Sequence, residues 1–189
     1  MDHRRDRDPV GATDPRMIIR AACAGDAPAI AAIWNHNIAH TANTFTTVLK
    51  TPEGLALEIA QRKAEGKAFI VAEMQGAVVG FATYFQFRGG PGYARTAEHS
   101  LMLDTQAQGQ GLGRALIAAL EAHAQGAGMH SLIAGVSGEN PAGAAFHKAA
   151  GYAQIAVLPE VGYKFGRWMD LIILQKILSM PADNAAPGR

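Results

Sequence analysis

The sequence predicts an α/β protein, a mixed central sheet with helices on its faces. Two observations carry this: β-rich runs alternate with runs at helical spacing in the order βα, α, βββ, αβ, αββ, and one strand gives way to a helix across a glycine-rich turn. The 189 residues are 49% hydrophobic, enough apolar surface for one ordinary core. Neither a repeat nor a second composition regime interrupts the stretch from Met17 to Leu178, so one domain is expected there.

Met17 to Arg20 reads as a short strand, and Asp26 is expected to cap a helix that buries Ile30, Ile33, Trp34 and Ile38. Thr51, Pro52 and Glu53 mark a second helix start, because a hydroxyl accepts an orphan N–H and proline at the first helical position gives up no hydrogen bond. That helix should stop at Gly66. Ala68 to Glu73 and Ala77 to Phe87 form a hairpin about Met74, Gln75 and Gly76, and a further strand covers about Arg95 to Leu103. From Gly111 the spacing turns helical through Leu112, Leu116 and Leu120 to about Gly126. Leu132 to Val136 is a strand, Pro141 to Ala150 a helix closed by Gly151, and Tyr152 to Leu158 and Trp168 to Leu178 are the last strands. Residues 1–16, rich in Arg and Asp, and residues 179–189, with two prolines, read as disordered tails.

Charge excludes some partners. Seventeen Lys and Arg against sixteen Asp and Glu leave a net charge of +1, too weak a field to predict nucleic acid or an anionic membrane. The single cysteine, Cys23, excludes an intramolecular disulfide, and the seven histidines show no ligand spacing, so no metal is expected. With no apolar run long enough to span a bilayer, the chain reads as cytoplasmic.

The most informative stretch is Gln108-Gly109-Gln110-Gly111-Leu112-Gly113-Arg114. Glycines between a strand and a helix let backbone approach a ligand, and the first helical N–H groups suit phosphate oxygens. A strand-to-helix turn that merely needs glycine is an equal reading of these residues alone. The spacing is neither a P-loop nor a dinucleotide fingerprint, which counts against ATP and NAD. The turn resembles the Q/R-x-x-G-x-G/A signature of the GNAT N-acetyltransferases, with Gln108, Gly111 and Gly113 at its defined positions. Four further stretches resemble the phosphinothricin and methionine sulfone or sulfoximine acetyltransferase branch: Trp34 to His36, Tyr93 to Ser100, Asn140 to Tyr152, and Val161 to Leu171.

The resemblance implies a GNAT-type fold, acetyl-CoA as co-substrate, and a homodimer with the acceptor site near the subunit boundary. It places the CoA pyrophosphate on Gln108, Gly109, Gln110, Gly111, Leu112, Gly113, Arg114 and Ala115. Met102, Leu103 and Asp104 would hold the pantetheine arm through backbone groups, one of which would stabilise a developing oxyanion. Asn140, an apt N-cap before Pro141, would also touch that arm.

Amine acetylation needs the ammonium deprotonated and the departing thiolate stabilised. Glu98, a carboxylate inside a β-rich run, is the candidate base; read without the resemblance, a surface or salt-bridged glutamate is the simpler account. His147 stands where the resemblance implies a proton donor for the sulfur, and an imidazolium can serve. Arg88, Gly89, Gly90, Pro91, Tyr93 and Arg95 form a basic loop suited to a substrate carboxylate, or else a solvated turn. His99, Ser100 and Leu101 resemble the branch's substrate contacts, and Phe45, Lys164 and Trp168 are candidate pocket walls. Cys23 lies away from every motif, so direct transfer in a ternary complex is expected.

The expected function is therefore acetylation of the α-amine of a small amino-acid analogue, with methionine sulfone and sulfoximine ahead of phosphinothricin. Acetylation of a peptide or protein N-terminus and a non-catalytic acyl-CoA sensor are the alternatives.

Overall fold

A computed structural model describes residues 17–178; the expected tails, 1–16 and 179–189, lie outside the described residues. In chain order the elements are β1 (Met17–Ala21), α1 (Ala27–His40), α2 (Pro52–Ala64), β2 (Phe69–Met74), β3 (Ala77–Gln86), β4 (Thr96–Leu103), α3 (Leu112–Gly126), β5 (Ser131–Ser137), α4 (Pro141–Ala149), β6 (Ala153–Lys164) and β7 (Arg167–Ile177). They build one seven-stranded sheet in the order β1-β2-β3-β4-β5-β7-β6. All neighbours are antiparallel except β4 and β5, which run parallel. The expected mixed α/β architecture is the one observed.

Strand alternation divides the core into two layers. Ile70, Ala72, Ala82, Tyr84, Ala97 and Leu132 face Leu112, Leu116 and Leu120 of α3. Phe69, Val71 and Phe81 face Ile30, Trp34, Leu55 and Ile59 of α1 and α2, with the Trp34 and Phe81 ring centroids 4.9 Å apart. The Trp-Asn-His stretch is thus structural in its first two residues: Trp34 fills the core and Asn35 ties down the end of the α1–α2 connection.

Thr51 caps α2 as expected, its Oγ1 accepting from Gly54 N–H at 3.1 Å. The β2–β3 hairpin turns on Gln75 (φ 53°) and Gly76 (φ 81°), both left-handed as a tight two-residue turn requires. Asp26 departs from expectation. A 3-10 turn, Ala24–Asp26, intervenes before α1, and the Asp26 carboxylate caps that turn at Cys23 N–H and pairs with Arg20 rather than capping α1. This pairing holds its carboxyl at about 2. The last hairpin is longer than the sequence suggests. Strand β6 passes a bulge between Leu158 and Gly162 and continues to Lys164, and Phe165 (φ 53°) and Gly166 (φ 75°) make the turn into β7.

The bond between β4 and β5 sets the site. Their pairing ends at Glu98 and Ile133, although β4 runs on to Leu103 and β5 to Ser137. Past Glu98 the two strands diverge, leaving one edge of β4 without a strand partner. A wedge opens in the middle of the sheet.

Candidate active site

The wedge deepens into a cavity of about 800 Å³, within the ~300–1,000 Å³ range of small-molecule sites. One end is built from Leu103, Gln108, Gly109, Gly111, Gly113 and Arg114, the other from Asn37, Asn43, Thr44 and Phe45. Glu98, His99, Ser100, Leu101 and Met102 line its floor.

Local chemistry shapes the glycine end. Gly109 and Gly111 have φ of 77° and 82°, a region closed to most side chains, and nothing stands within 4 Å of where a Cβ on either would point. Gly111 directly precedes α3, whose first intrahelical bond runs from Ala115 N–H to Gly111 O at 3.1 Å. The amides of Leu112, Gly113 and Arg114 therefore precede the helical ladder and carry the partial positive charge of a fifteen-residue helix. Gly113 packs under Phe146 of α4, which a side chain there would displace. Open space at Gly109 and Gly111, helix-start amides outside the helical ladder and an unpaired β4 edge fit the pyrophosphate and pantetheine arm of acetyl-CoA.

Not every expected contact borders the cavity. Asp104 caps the short turn Thr105–Ala107 at Gln106 N–H, the Gln110 side chain donates to Gln106 O, Leu112 is buried in the core, and Ala115 lies beyond the cavity wall. Any ligand contact from Leu112 runs through its amide. Asn140 does cap α4, its Oδ1 accepting from Gly143 N–H at 2.8 Å, and it lines the cavity as well.

Glu98 reaches the cavity half-buried, and burial raises its carboxyl above the ordinary glutamate range. Gly135 on β5 makes room for it: a methyl group there would stand 3.1 Å from Glu98 Oε1. No side-chain hydrogen bond or ion pair among the described residues engages this carboxylate, which leaves it available to a ligand.

His99 and His147 meet Nε2 to Nε2 at 3.0 Å, and His147 Nδ1 lies 2.8 Å from Gly143 O. A carbonyl only accepts, so Nδ1 of His147 carries a proton, and the neutral ring then takes the His99 Nε2–H at its own Nε2. Tyr152 packs on both rings, with centroids 5.5 and 5.4 Å away. Burial lowers His147 and takes His99 down to about 3, so both rings rest neutral. The imidazolium expected of His147 is the disfavoured form, and proton donation by this ring requires that it first gain one.

Arg88, Gly89, Gly90, Pro91 and Tyr93 lie on the β3–β4 connection and do not border the cavity of their own chain. Gln86 Nε2 holds that connection at Arg88 O and Gly90 O. Trp168 is exposed and Lys164 is buried behind the Thr41–Phe45 backbone; neither is a wall. The residues missed by sequence reasoning are Asn37, Asn43, Thr44, the β5 segment Ala134 to Ser137, Ala142, Gly143 and Phe146 of α4, and Leu171 of β7. Asn37 left one trace, as a polar residue on the buried face of α1. Among the described residues no group of three or more His, Cys, Asp or Glu side chains is placed to hold a metal.

Known proteins resemble this chain in sequence and fold. The chain is 35% identical over 171 residues to a methionine sulfoximine and methionine sulfone acetyltransferase of Salmonella typhimurium, the match covering 90% of this chain and 98% of the relative. It is 34% identical to a phosphinothricin N-acetyltransferase of Alcaligenes faecalis, over 85% of this chain and 82% of the relative. An acetyltransferase from Salmonella typhimurium, solved with its cofactor acetyl-CoA, superposes with a TM-score of 0.85 at 35% identity, covering 92% and 98% of the two chains. A ribosomal-protein-alanine N-acetyltransferase from Brucella melitensis superposes with a TM-score of 0.83 at 38% identity, covering 85% and 99%. The family model for GNAT acetyltransferases matches residues 35–152. That span takes in the glycine turn, the splayed strands and His147 together, and the chain belongs to the GNAT family as an N-acetyltransferase dependent on acetyl-CoA.

Proposed function

We propose that this enzyme acetylates the α-amine of a small amino-acid analogue, methionine sulfone or sulfoximine first and phosphinothricin second. The observation that carries the reading is the position of Glu98, a carboxylate of raised pKa on the cavity floor between the glycine end and the Asn37–Phe45 end. Acetyl-CoA supplies an activated acyl group. The chain's residues do the rest.

Gln108, Gly109, Gly111, Gly113 and Arg114, with the amide of Leu112, cradle the pyrophosphate. The β4 edge at Met102 and Leu103 receives the pantetheine arm, with Asn140 beside it. Glu98 takes the proton from the acceptor's ammonium, directly or through a water, and a base with a raised pKa is better matched to that transfer near neutral pH. His147 supplies the proton that stabilises the leaving sulfur, after taking one up. His99, Ser100, Leu101 and Phe45 bound the acceptor. Cys23 is exposed near the end of β1, away from the cavity, which favours direct transfer over a cysteinyl intermediate.

The enzyme is proposed to be a cytoplasmic homodimer with one domain over residues 17–178. The edge hairpin of β6 and β7 leaves Val161, Tyr163, Phe165 and Trp168 exposed, an apolar strip suited to a second copy. Arg88, Gly89, Gly90, Pro91 and Tyr93, remote from their own cavity, would meet the acceptor in such a dimer. No described helix is long and apolar enough to cross a membrane.

A second reading has one observation in its favour, the likeness to the ribosomal-protein-alanine enzyme, and would make a peptide N-terminus the acceptor. CoA release from acetyl-CoA with methionine sulfone, methionine sulfoximine, phosphinothricin, ordinary amino acids and a short peptide separates the two. Turnover of the sulfone or sulfoximine is expected; turnover of the peptide alone overturns the small-molecule reading.

A further inference from the structure

We propose that Lys164 and Gly162 are positioning residues for acceptor recognition, holding the α1–α2 connection so that Asn43, Thr44 and Phe45 stand as the acceptor wall of the cavity. This rests on the reading of that cavity as an amine-acceptor site.

Past its bulge, β6 turns alternate residues inward: Gly162 and Lys164 are buried while Val161 and Tyr163 face out. Lys164 is 2% exposed, alone among the described lysines and arginines in being buried. A lysine ammonium withdrawn from water must have its protons accepted. Its Nζ donates to Thr41 O and Thr44 O, each at 2.8 Å, reaching residues 123 and 120 positions earlier in the chain. Two residues before it, Gly162 lies beneath Phe45; a Cβ on Gly162 would overlap the Phe45 ring. One strand thus fixes the connection twice, by its backbone carbonyls and by its aromatic ring.

The connection needs such ties. Residues 41–50 contain no helix or strand, and their large apolar side chains Val48 and Leu49 point to solvent. Asn35 holds the far end through both atoms of its amide, at Lys50 N–H and Lys50 O, and Asn37 accepts from Asn43. Between those anchors, Lys164 is the tie nearest Phe45. Glu98 lies on β4 and the glycine turn leads into α3, and the hydrogen bonds of Lys164 go to neither. The clamp therefore governs acceptor fit and leaves the acetyl-CoA end alone.

The test compares Lys164→Met and Gly162→Ala with the wild-type chain, using methionine sulfone and acetyl-CoA as varied substrates and amide hydrogen exchange over residues 41–50. Each variant is expected to raise the acceptor KM about tenfold, while the acetyl-CoA KM moves less than about twofold. Exchange in residues 41–50 should quicken in Lys164→Met, with β2, β3 and β4 unchanged. Equal changes in both KM values, or none in either, overturn the proposal. If the wild type turns over no amine, the acceptor reading fails by itself, and unaltered exchange in residues 41–50 of both variants would then overturn the clamp. Should Lys164→Met not fold, Gly162→Ala carries the same comparisons.

Discussion

The two ends of the cavity are built by opposite means. The glycine end comes from one continuous stretch, from β4 through the turn at Gly109 and Gly111 into α3, and it presents the first amides of a helix. The opposite end, proposed for the acceptor, is bordered by Asn37 of α1 and by the α1–α2 connection, which Lys164 of β6 ties down from more than a hundred residues later, and it presents side chains. A common donor can be held by a contiguous backbone device, because CoA does not vary. An acceptor wall made of side chains on a tethered connection can change with a few substitutions while the donor cradle stays intact.

That contrast predicts which kinetic constant each change should move. The largest effect belongs to the floor that both ends share. Glu98→Gln should lower kcat by about 10²–10⁴ while acetyl-CoA still binds, read by steady-state kinetics and calorimetry. Because a base works deprotonated, wild-type kcat/KM should rise with pH through an apparent pKa above the ordinary glutamate value and then level off. The Glu98→Gln profile should lack that limb. A variant that kept it would move the titration to another group.

At the donor end alone, Gly111→Val forces a branched side chain into φ 82° and should raise the acetyl-CoA KM by about tenfold, on the order of 1–2 kcal/mol of backbone strain. The acceptor KM should hardly move. An equal rise in both constants would erase the division between the ends. The Lys164 and Gly162 variants are the mirror of this experiment. Smallest is a change that touches neither end: Thr51→Ala removes the α2 cap and should cost about 1 kcal/mol, a fall of about 2–4 °C in Tm, with both KM values kept.

How legible each end was in the sequence follows the same division. Gly109 and Gly111 pointed to a donor cradle because left-handed backbone demands glycine, Gly113 because Phe146 packs against it, and the switch from strand to helical spacing located all three. Thr51 and Pro52 fixed the start of α2 for equally local reasons. The acceptor end depended on distances no local pattern records. Lys164 read as a pocket wall because the bulge between Leu158 and Gly162, which decides which way β6 residues face, has no clear mark in the sequence, and Trp168 of β7 lies across from Tyr163 with both side chains exposed. His99 and His147 were each singled out, yet their contact spans 48 residues, and only the fold shows that both rings sit neutral against Tyr152. Asp26 misled for a local reason: it caps a turn one step earlier than the helix it precedes.

The most direct test of the account is CoA release by the wild-type chain and by Glu98→Gln, with methionine sulfone as acceptor and acetyl-CoA binding measured on the same samples. The account predicts turnover by the wild type, loss of about a hundredfold or more in Glu98→Gln, and similar acetyl-CoA affinity in both. Tight acetyl-CoA binding with no release of CoA to methionine sulfone, sulfoximine or phosphinothricin would contradict it.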